Sequence, residues 1–193
     1  WLGGMGIVVL ALAILPLLGV GGMQLFRAEV PGPVAERLTP RISQTAKLLW
    51  GVYVLLTVLE AVALMIAGLS FFDAICHAMA TMATGGFSTR NGSVGAYQDP
   101  AVDWIVIVFM FLAGVNFALR YLALSGKLTV YSRDDEFRFY GGLTLLSVLL
   151  IGVALFAAGT YPDVHDTVRH TVFQVVAIIT TTGFGTADYL QWP

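Results

Sequence analysis

Charge is what this sequence has least of. Only 11% of its 193 residues are Asp, Glu, Lys or Arg, against about 25% in a soluble domain. The 10 basic and 12 acidic residues nearly cancel, so there is no basic footprint for nucleic acid. With 58% apolar residues and a mean hydropathy of +0.82, the chain reads as a membrane protein. A large soluble domain is excluded, because a spanning helix takes about 20 apolar residues and the length accommodates about four or five of them with loops. The single cysteine, Cys76, excludes an internal disulfide and any multi-thiol metal site. An initiator methionine and a basic signal-peptide region are also lacking. The chain opens inside an apolar run and stops just after a threonine- and glycine-rich stretch, so the expectation is an internal fragment of a longer polypeptide.

Apolar windows between the charge clusters predict spans over 1–26, 47–67, 102–125 and 139–158. Two further apolar stretches, 71–82 and 166–179, are too short to cross and suit re-entrant helices. Arg27, Arg37, Arg41 and Lys47 precede the second span, and Lys127, Arg133 and Arg138 precede the fourth. Those loops, 27–46 and 126–138, are therefore assigned to the cytoplasm. Gly68 and Gly159 suit left-handed helix ends. Asp99-Pro100 suits a helix start, Ser70-Phe71-Phe72-Asp73 reads as a capping box, and Asp163 and Asp166 favour the positive end of the second short helix.

The organisation repeats: an outward span, a short helix, then a loop of Thr and Gly. At an offset of 97 residues, Thr84-Gly85-Gly86-Phe87-Ser88-Thr89 lies over Thr181-Thr182-Gly183-Phe184-Gly185-Thr186, matching at four of six positions. Irregular backbone is tolerated at membrane depth only where protein buries it or where it lines a water-filled cavity. Glycine lets successive carbonyls point to one side, and such oxygens can replace the hydration shell of a potassium ion. The short helices would aim their partly negative C-terminal ends at the cavity, favouring a cation.

Thr181-Thr182-Gly183-Phe184-Gly185 resembles the potassium-channel filter pattern Thr-Val-Gly-Tyr-Gly, and Thr84-Gly85-Gly86-Phe87-Ser88 is a looser version. Three stretches resemble the membrane subunits of Trk-type potassium uptake systems, the TrkH family of the Trk/Ktr/HKT superfamily. They are Trp1-Leu2-Gly3-Gly4-Met5-Gly6, the run from Leu15-Pro16-Leu17-Leu18 through Gly19-Val20-Gly21-Gly22-Met23-Gln24-Leu25, and Ala83-Thr84-Gly85-Gly86-Phe87-Ser88-Thr89. The likeness runs along essentially the whole chain.

That resemblance implies an all-α polytopic membrane protein whose single polypeptide forms a pseudo-fourfold pore. Each of its four units has a span, a pore helix, a filter loop and a second span. This chain would hold the second span of unit one (1–26), all of unit two (47–125, filter 83–89) and the front half of unit three (139–193, filter 180–186), hence two of four filter loops. The potassium ligands would come from Thr84, Gly85, Gly86, Thr181, Thr182 and Gly183. Ala83, Phe87, Thr180 and Phe184 flank them, the aromatics expected to pack behind the loops. Potassium would be the transported substrate, with no cofactor, no transition metal and no catalytic residue. Expected partners are the remaining pore units, membrane lipid, a second copy in a homodimer and a cytosolic TrkA-like nucleotide-binding regulatory subunit. The expected location is the bacterial inner membrane.

Other residues carry weaker signals. Glu60 lies inside a span, where an ionisable group is a functional candidate or is satisfied within the bundle. Asn116 and Arg120 stand one turn apart near the inner half of the third span, and the arginine snorkels to the interface or lines a vestibule. His77, His165 and His170 form no recognisable ligand set. Asp73, Asp99, Asp103, Asp163, Asp166 and Asp188 read as outer caps or solvated charges. Two other classes remain. A cation-coupled secondary transporter is left open by Glu60, whereas an intramembrane enzyme would need paired catalytic groups on facing spans, and none is evident.

Overall fold

The computed structural model describes residues 1–6, 42–116, 119 and 129–192. The first predicted span beyond Gly6, the basic residues Arg27, Arg37 and Arg41, and Arg120 and Lys127 lie outside the described residues. Among those described there are helices and connecting turns, with no strand.

Helix α1 runs Ile42–Ile66 (25 residues), starting ahead of the predicted span. Gly68, at φ 98°, turns the chain into α2, Phe71–Met82. The Ser70 hydroxyl caps α2 by accepting the Asp73 backbone N–H at 3.1 Å. Helix α3, Pro100–Gly114, is capped by Asp99, whose carboxylate accepts the Ala101 N–H at 2.8 Å. A short α4, Thr129–Arg133, leads to α5, Asp135–Ala158. Gly159 ends α5 in the left-handed conformation at φ 63°, and α6, Val164–Ile179, follows. Asp163 sits at the N-cap of α6 without a side-chain capping bond.

Residues 48–66 of α1 and all of α5 are long and apolar enough to cross a membrane. At 1.5 Å per residue, α2 and α6 reach only about 18 and 24 Å, short of a bilayer core of about 30 Å. Within the third predicted span, 102–125, α3 stops at Gly114 and Val115 is extended, at φ −77° and ψ 147°; residues 117–118 and 120–125 of that span lie outside the described residues. Packing is close at this point. A Cβ on Gly114 would lie 2.6 Å from the Tyr140 hydroxyl and 2.9 Å from Thr180 Cγ2, so α5 and the end of α6 press against the helix at its last turn. The Tyr140 hydroxyl donates to the Phe111 carbonyl at 3.2 Å, satisfying an acceptor that the interrupted helix leaves open.

Helix α3 is the central post. Its Val102, Val106, Ile107 and Met110 share one core with Leu64 of α1, Ala74 of α2, and Phe173, Val176 and Ala177 of α6. Both short helices therefore lean on the same surface and end near one another. Threonines inside these apolar helices return their hydroxyls to the carbonyl four residues back, as at Thr57, Thr81, Thr144, Thr171 and Thr180, which removes the cost of an unpaired polar group. Helix α5 touches α6 but leaves Leu146, Leu150 and Val153 exposed.

Candidate functional site: two threonine- and glycine-rich loops

Both loops begin with the same backbone. Ala83 and Thr180 close their helices at φ −83° and −80°. The next residues, Thr84 and Thr181, turn left-handed at φ 50° and 59°, and Gly86 and Gly183 do so again at 66° and 80°. A β-branched residue at positive φ is a genuine outlier, and strain of this kind clusters where a site requires it. Here it occurs twice, at equivalent positions. The Thr84 N–H donates to the Thr81 carbonyl and the Thr181 N–H to the Ile178 carbonyl. The copies then diverge by one residue: the Gly85 N–H reaches back to Ala80 at 2.8 Å, whereas in the second loop the Gly183 N–H reaches Ala177 at 3.1 Å.

The loops meet directly. A Cβ on Gly86 would overlap the Thr182 carbonyl oxygen and lie 3.1 Å from the Gly183 carbonyl carbon, whereas one on Gly183 would have nothing within 4 Å. Thr180 and Thr182 are buried with their hydroxyls 2.8 Å apart. Thr181, Gly183 and Gly85 are exposed, and Ala83, Thr84 and Gly86 half-buried. The aromatics part company. Phe184 is 2% exposed and lies behind its loop near the His77 ring, centroids 5.8 Å apart. Phe87 is 81% exposed, because no described element of this chain stands where it points.

The far end of each loop is held by side chains from its own short helix. Thr89 donates to Asp73 Oδ1 at 2.6 Å, and Arg90 to Asp73 Oδ2 at 3.0 Å. His77 donates from Nδ1 to the Asp73 carbonyl at 2.7 Å and meets the Ser88 hydroxyl through Nε2 at 2.9 Å. The Thr89 hydroxyl above all, helped by Ser70 and Arg90, holds the Asp73 carboxyl below the usual carboxylate range. In the second loop His170 Nδ1 lies 3.1 Å from the Thr186 hydroxyl. The Gln174 amide oxygen accepts the Thr186 and Ala187 N–H groups at 2.9 and 3.3 Å. Burial, with the Arg169 guanidinium beside it, pushes His170 below the ordinary imidazole value. Asp73 and Asp103 are thus not solvated charges: both are buried, Asp103 in an ion pair with Arg169 at 3.0 Å.

A short helical turn after the first loop grips the second: the Gly95 N–H donates to the Gly185 carbonyl at 3.0 Å, and the Gly185 N–H to Ser93 Oγ at 3.2 Å. None of these supports was legible as such. The one available signal was the match of Thr89 with Thr186, which lies beyond the residues expected to offer carbonyls.

Glu60 is fully buried on α1 beside Thr81 of α2. The Thr81 hydroxyl is given to the His77 carbonyl, and among the described residues neither Glu60 oxygen has a hydrogen-bond partner. Asn116, just past the end of α3, donates to Glu136 at 3.4 Å.

Two short helices that stop inside a bundle of apolar helices, each delivering a strained polar loop to a shared point, mark an all-α polytopic membrane protein. The family model described as TrkH, cation transport protein, matches residues 1–193, and the chain belongs to that family. The Trk system potassium uptake protein TrkH of Escherichia coli K12 is 48% identical across all of this chain and 40% of the relative. The protein TrkG of the same organism is 38% identical, again over 40% of its length. The crystal structure of the potassium transporter TrkH from Vibrio parahaemolyticus superposes with a TM-score of 0.81 at 39% identity, over all of this chain and 39% of that one. The chain therefore spans about two-fifths of the length of these relatives. They are named as uptake proteins and a transporter, not as enzymes.

Proposed function

We propose that this chain supplies part of a potassium-conducting pathway, with the two loops as two of four filter segments around a pore built within one longer polypeptide. The observation that carries the reading is the repeated left-handed pair, Thr84 with Gly86 and Thr181 with Gly183, brought together at the ends of two helices too short to cross. The helices' partly negative C-terminal ends favour a cation there, and backbone carbonyls of Thr84–Gly86 and Thr181–Gly183 are suited to replace its water. Chain 47–125 is read as one complete pore unit, with 1–26 and 139–193 as parts of its neighbours. The exposed row on α5 suits lipid or the neighbouring units. A homodimer, a TrkA-like regulator and a multi-pass place in the bacterial inner membrane complete the proposal on the strength of the family relationship.

The test is substitution at the two glycines in the full-length protein. Gly86→Ala places a methyl group into the opposite loop and should abolish potassium uptake. Gly183→Ala meets open space and bears only the left-handed backbone penalty, about 1–2 kcal/mol, so it should leave uptake but weaken preference for potassium over sodium. Wild-type uptake and preference in both variants would remove the filter assignment.

A second reading, potassium movement coupled to sodium or protons, is favoured by one observation: the carboxyl of Glu60, buried in a span without a hydrogen-bond partner among the described residues. Reversal potentials under opposing potassium, sodium and proton gradients separate the two, since a purely permeating pathway follows potassium alone.

A further inference from the structure

We propose that Asp73 and His170 are matched positioning residues, each bridging a guanidinium to the threonine hydroxyl that ends its loop and so holding the loop carbonyls at the spacing that selects the cation. The inference rests on the filter reading of the two loops. It assigns roles to two side chains that share no identity but stand at equivalent positions of the repeat.

The two bridges match part for part. Asp73 and His170 are separated by the same 97 residues that separate Thr89 and Thr186. Each uses one polar atom for the threonine and the other for an arginine. Asp73 accepts from Thr89 through Oδ1 and from Arg90 through Oδ2. His170 meets Thr186 through Nδ1 and Arg169 Nη2 through Nε2 at 3.3 Å. A guanidinium only donates, so Nε2 accepts and the Nδ1 proton goes to the Thr186 hydroxyl. The arginines come from different places, one from the loop exit and one from α6, and the threonine is a donor in the first copy and an acceptor in the second. The arrangement is therefore kept although every chemical detail differs.

Its mechanical meaning follows from where each loop is tied. The entrance is fixed to the helix C-terminus by backbone bonds, Thr84 to Thr81 and Thr181 to Ile178. The exit is tied to the N-terminal half of the same helix, eight residues before that carbonyl, about 12 Å away along the axis. The helix is thus a splint for the loop that doubles back along it. Between the ties lie Thr84–Gly86 and Thr181–Gly183, the residues read above as filter segments. With the tie to the threonine hydroxyl cut, the first loop keeps its His77–Ser88 bond and the second keeps its bonds to Gln174, Ser93 and Gly95, so the loop stays in place with a less tightly set exit, and coordination by more flexible carbonyls then discriminates less between cations.

The test uses the full-length protein in cells or liposomes, with potassium uptake measured against rising sodium and normalised to the amount in the membrane. Thr89→Val and Thr186→Val keep shape and remove the hydroxyl. Each is expected to reduce potassium-over-sodium discrimination about fivefold, the scale of one hydrogen bond of about 1 kcal/mol. Thr89→Ser and Thr186→Ser should restore it. Asp73→Ala and His170→Ala, which leave the loops untouched, should show the same loss, and combining either with the valine change in its own loop should add little. A merely structural role would lower the amount of protein and leave discrimination per molecule unchanged. Wild-type discrimination in the valine variants, or in the alanine pair where a valine variant does not accumulate, overturns the proposal. If the unmodified protein moves potassium without preferring it to sodium, the filter reading itself falls, a result distinct from intact preference with indifferent variants.

Discussion

Arg169 of α6 donates to Asp103 in the first turn of α3 at 3.0 Å, an ion pair almost wholly removed from solvent. Arg169 also donates to Asp166 at 2.9 Å, so one guanidinium fastens the second short helix to the post on which the first one leans.

Removing one member of a buried pair leaves an uncompensated charge and costs about 3–5 kcal/mol. Asp103→Ala should fall near the low end, because Asp166 still faces Arg169. Replacing both members, as in Asp103→Leu with Arg169→Met, should cost clearly less than the single change. Thermal unfolding of the purified full-length protein in detergent, compared across the three variants, measures this. Equal losses in the single and double variants would contradict the pairing.

Acid should loosen the second loop. The groups around His170 are Arg169 and Asp166 on its own helix, the Tyr161 ring stacked at 5.0 Å, the Thr186 hydroxyl, and Asp103 through Arg169. The folded protein holds this imidazole below its ordinary value, so the folded state binds fewer protons than the unfolded one over that interval. The stabilisation is complete above the unfolded value of about 6.5 and is lost as pH falls through the lower folded value. His170→Gln should flatten the dependence of melting temperature on pH below about 6.5. An unchanged slope would rule His170 out as its source.

Gly114 and Tyr140 should be strongly coupled. Gly114→Ala drives a methyl group against the Tyr140 hydroxyl and Thr180, and overpacking of this sort costs about 1–3 kcal/mol. Tyr140→Phe removes one of the two obstacles, and with it the cap on the Phe111 carbonyl, a loss of about 1 kcal/mol. The double variant should therefore be more stable than the sum of the single effects. Strict additivity in unfolding measurements would show that the hydroxyl is not what limits the glycine position.

Helix ends written in local chemistry were legible. The capping serine at Ser70 and the left-handed glycine at Gly159 placed the start of α2 and the end of α5, because each depends on residues within one turn. Helix α1 extends ahead of the predicted span, at least to Ile42, for a physical reason: hydropathy marks where a helix enters lipid, while helical hydrogen bonding can continue outside it. The stop of α3 was not read from the sequence, because the apolar run continues on both sides of Gly114 and Asn116, and the close approach of Tyr140 and Thr180 at that glycine is a tertiary contact. At the loops, the left-handed glycines could be foreseen from residue type. The supports could not, because Asp73 and His170 share a position and a task but no chemistry that a sequence comparison scores. Phe87 and Phe184 teach the reverse lesson, being identical residues at equivalent positions with opposite burial.

The hydrogen bonds from Ser93 and Gly95 to Gly185 impose an order in time. A chain made from its N-terminus exposes 93–95 before Gly185 exists, while Val94 is buried in a core shared with Phe173 and Phe184, so this junction is completed only once the later loop has been made. Because both copies share that core, a lesion in either one reaches the other through the same hydrogen bonds and the same buried side chains.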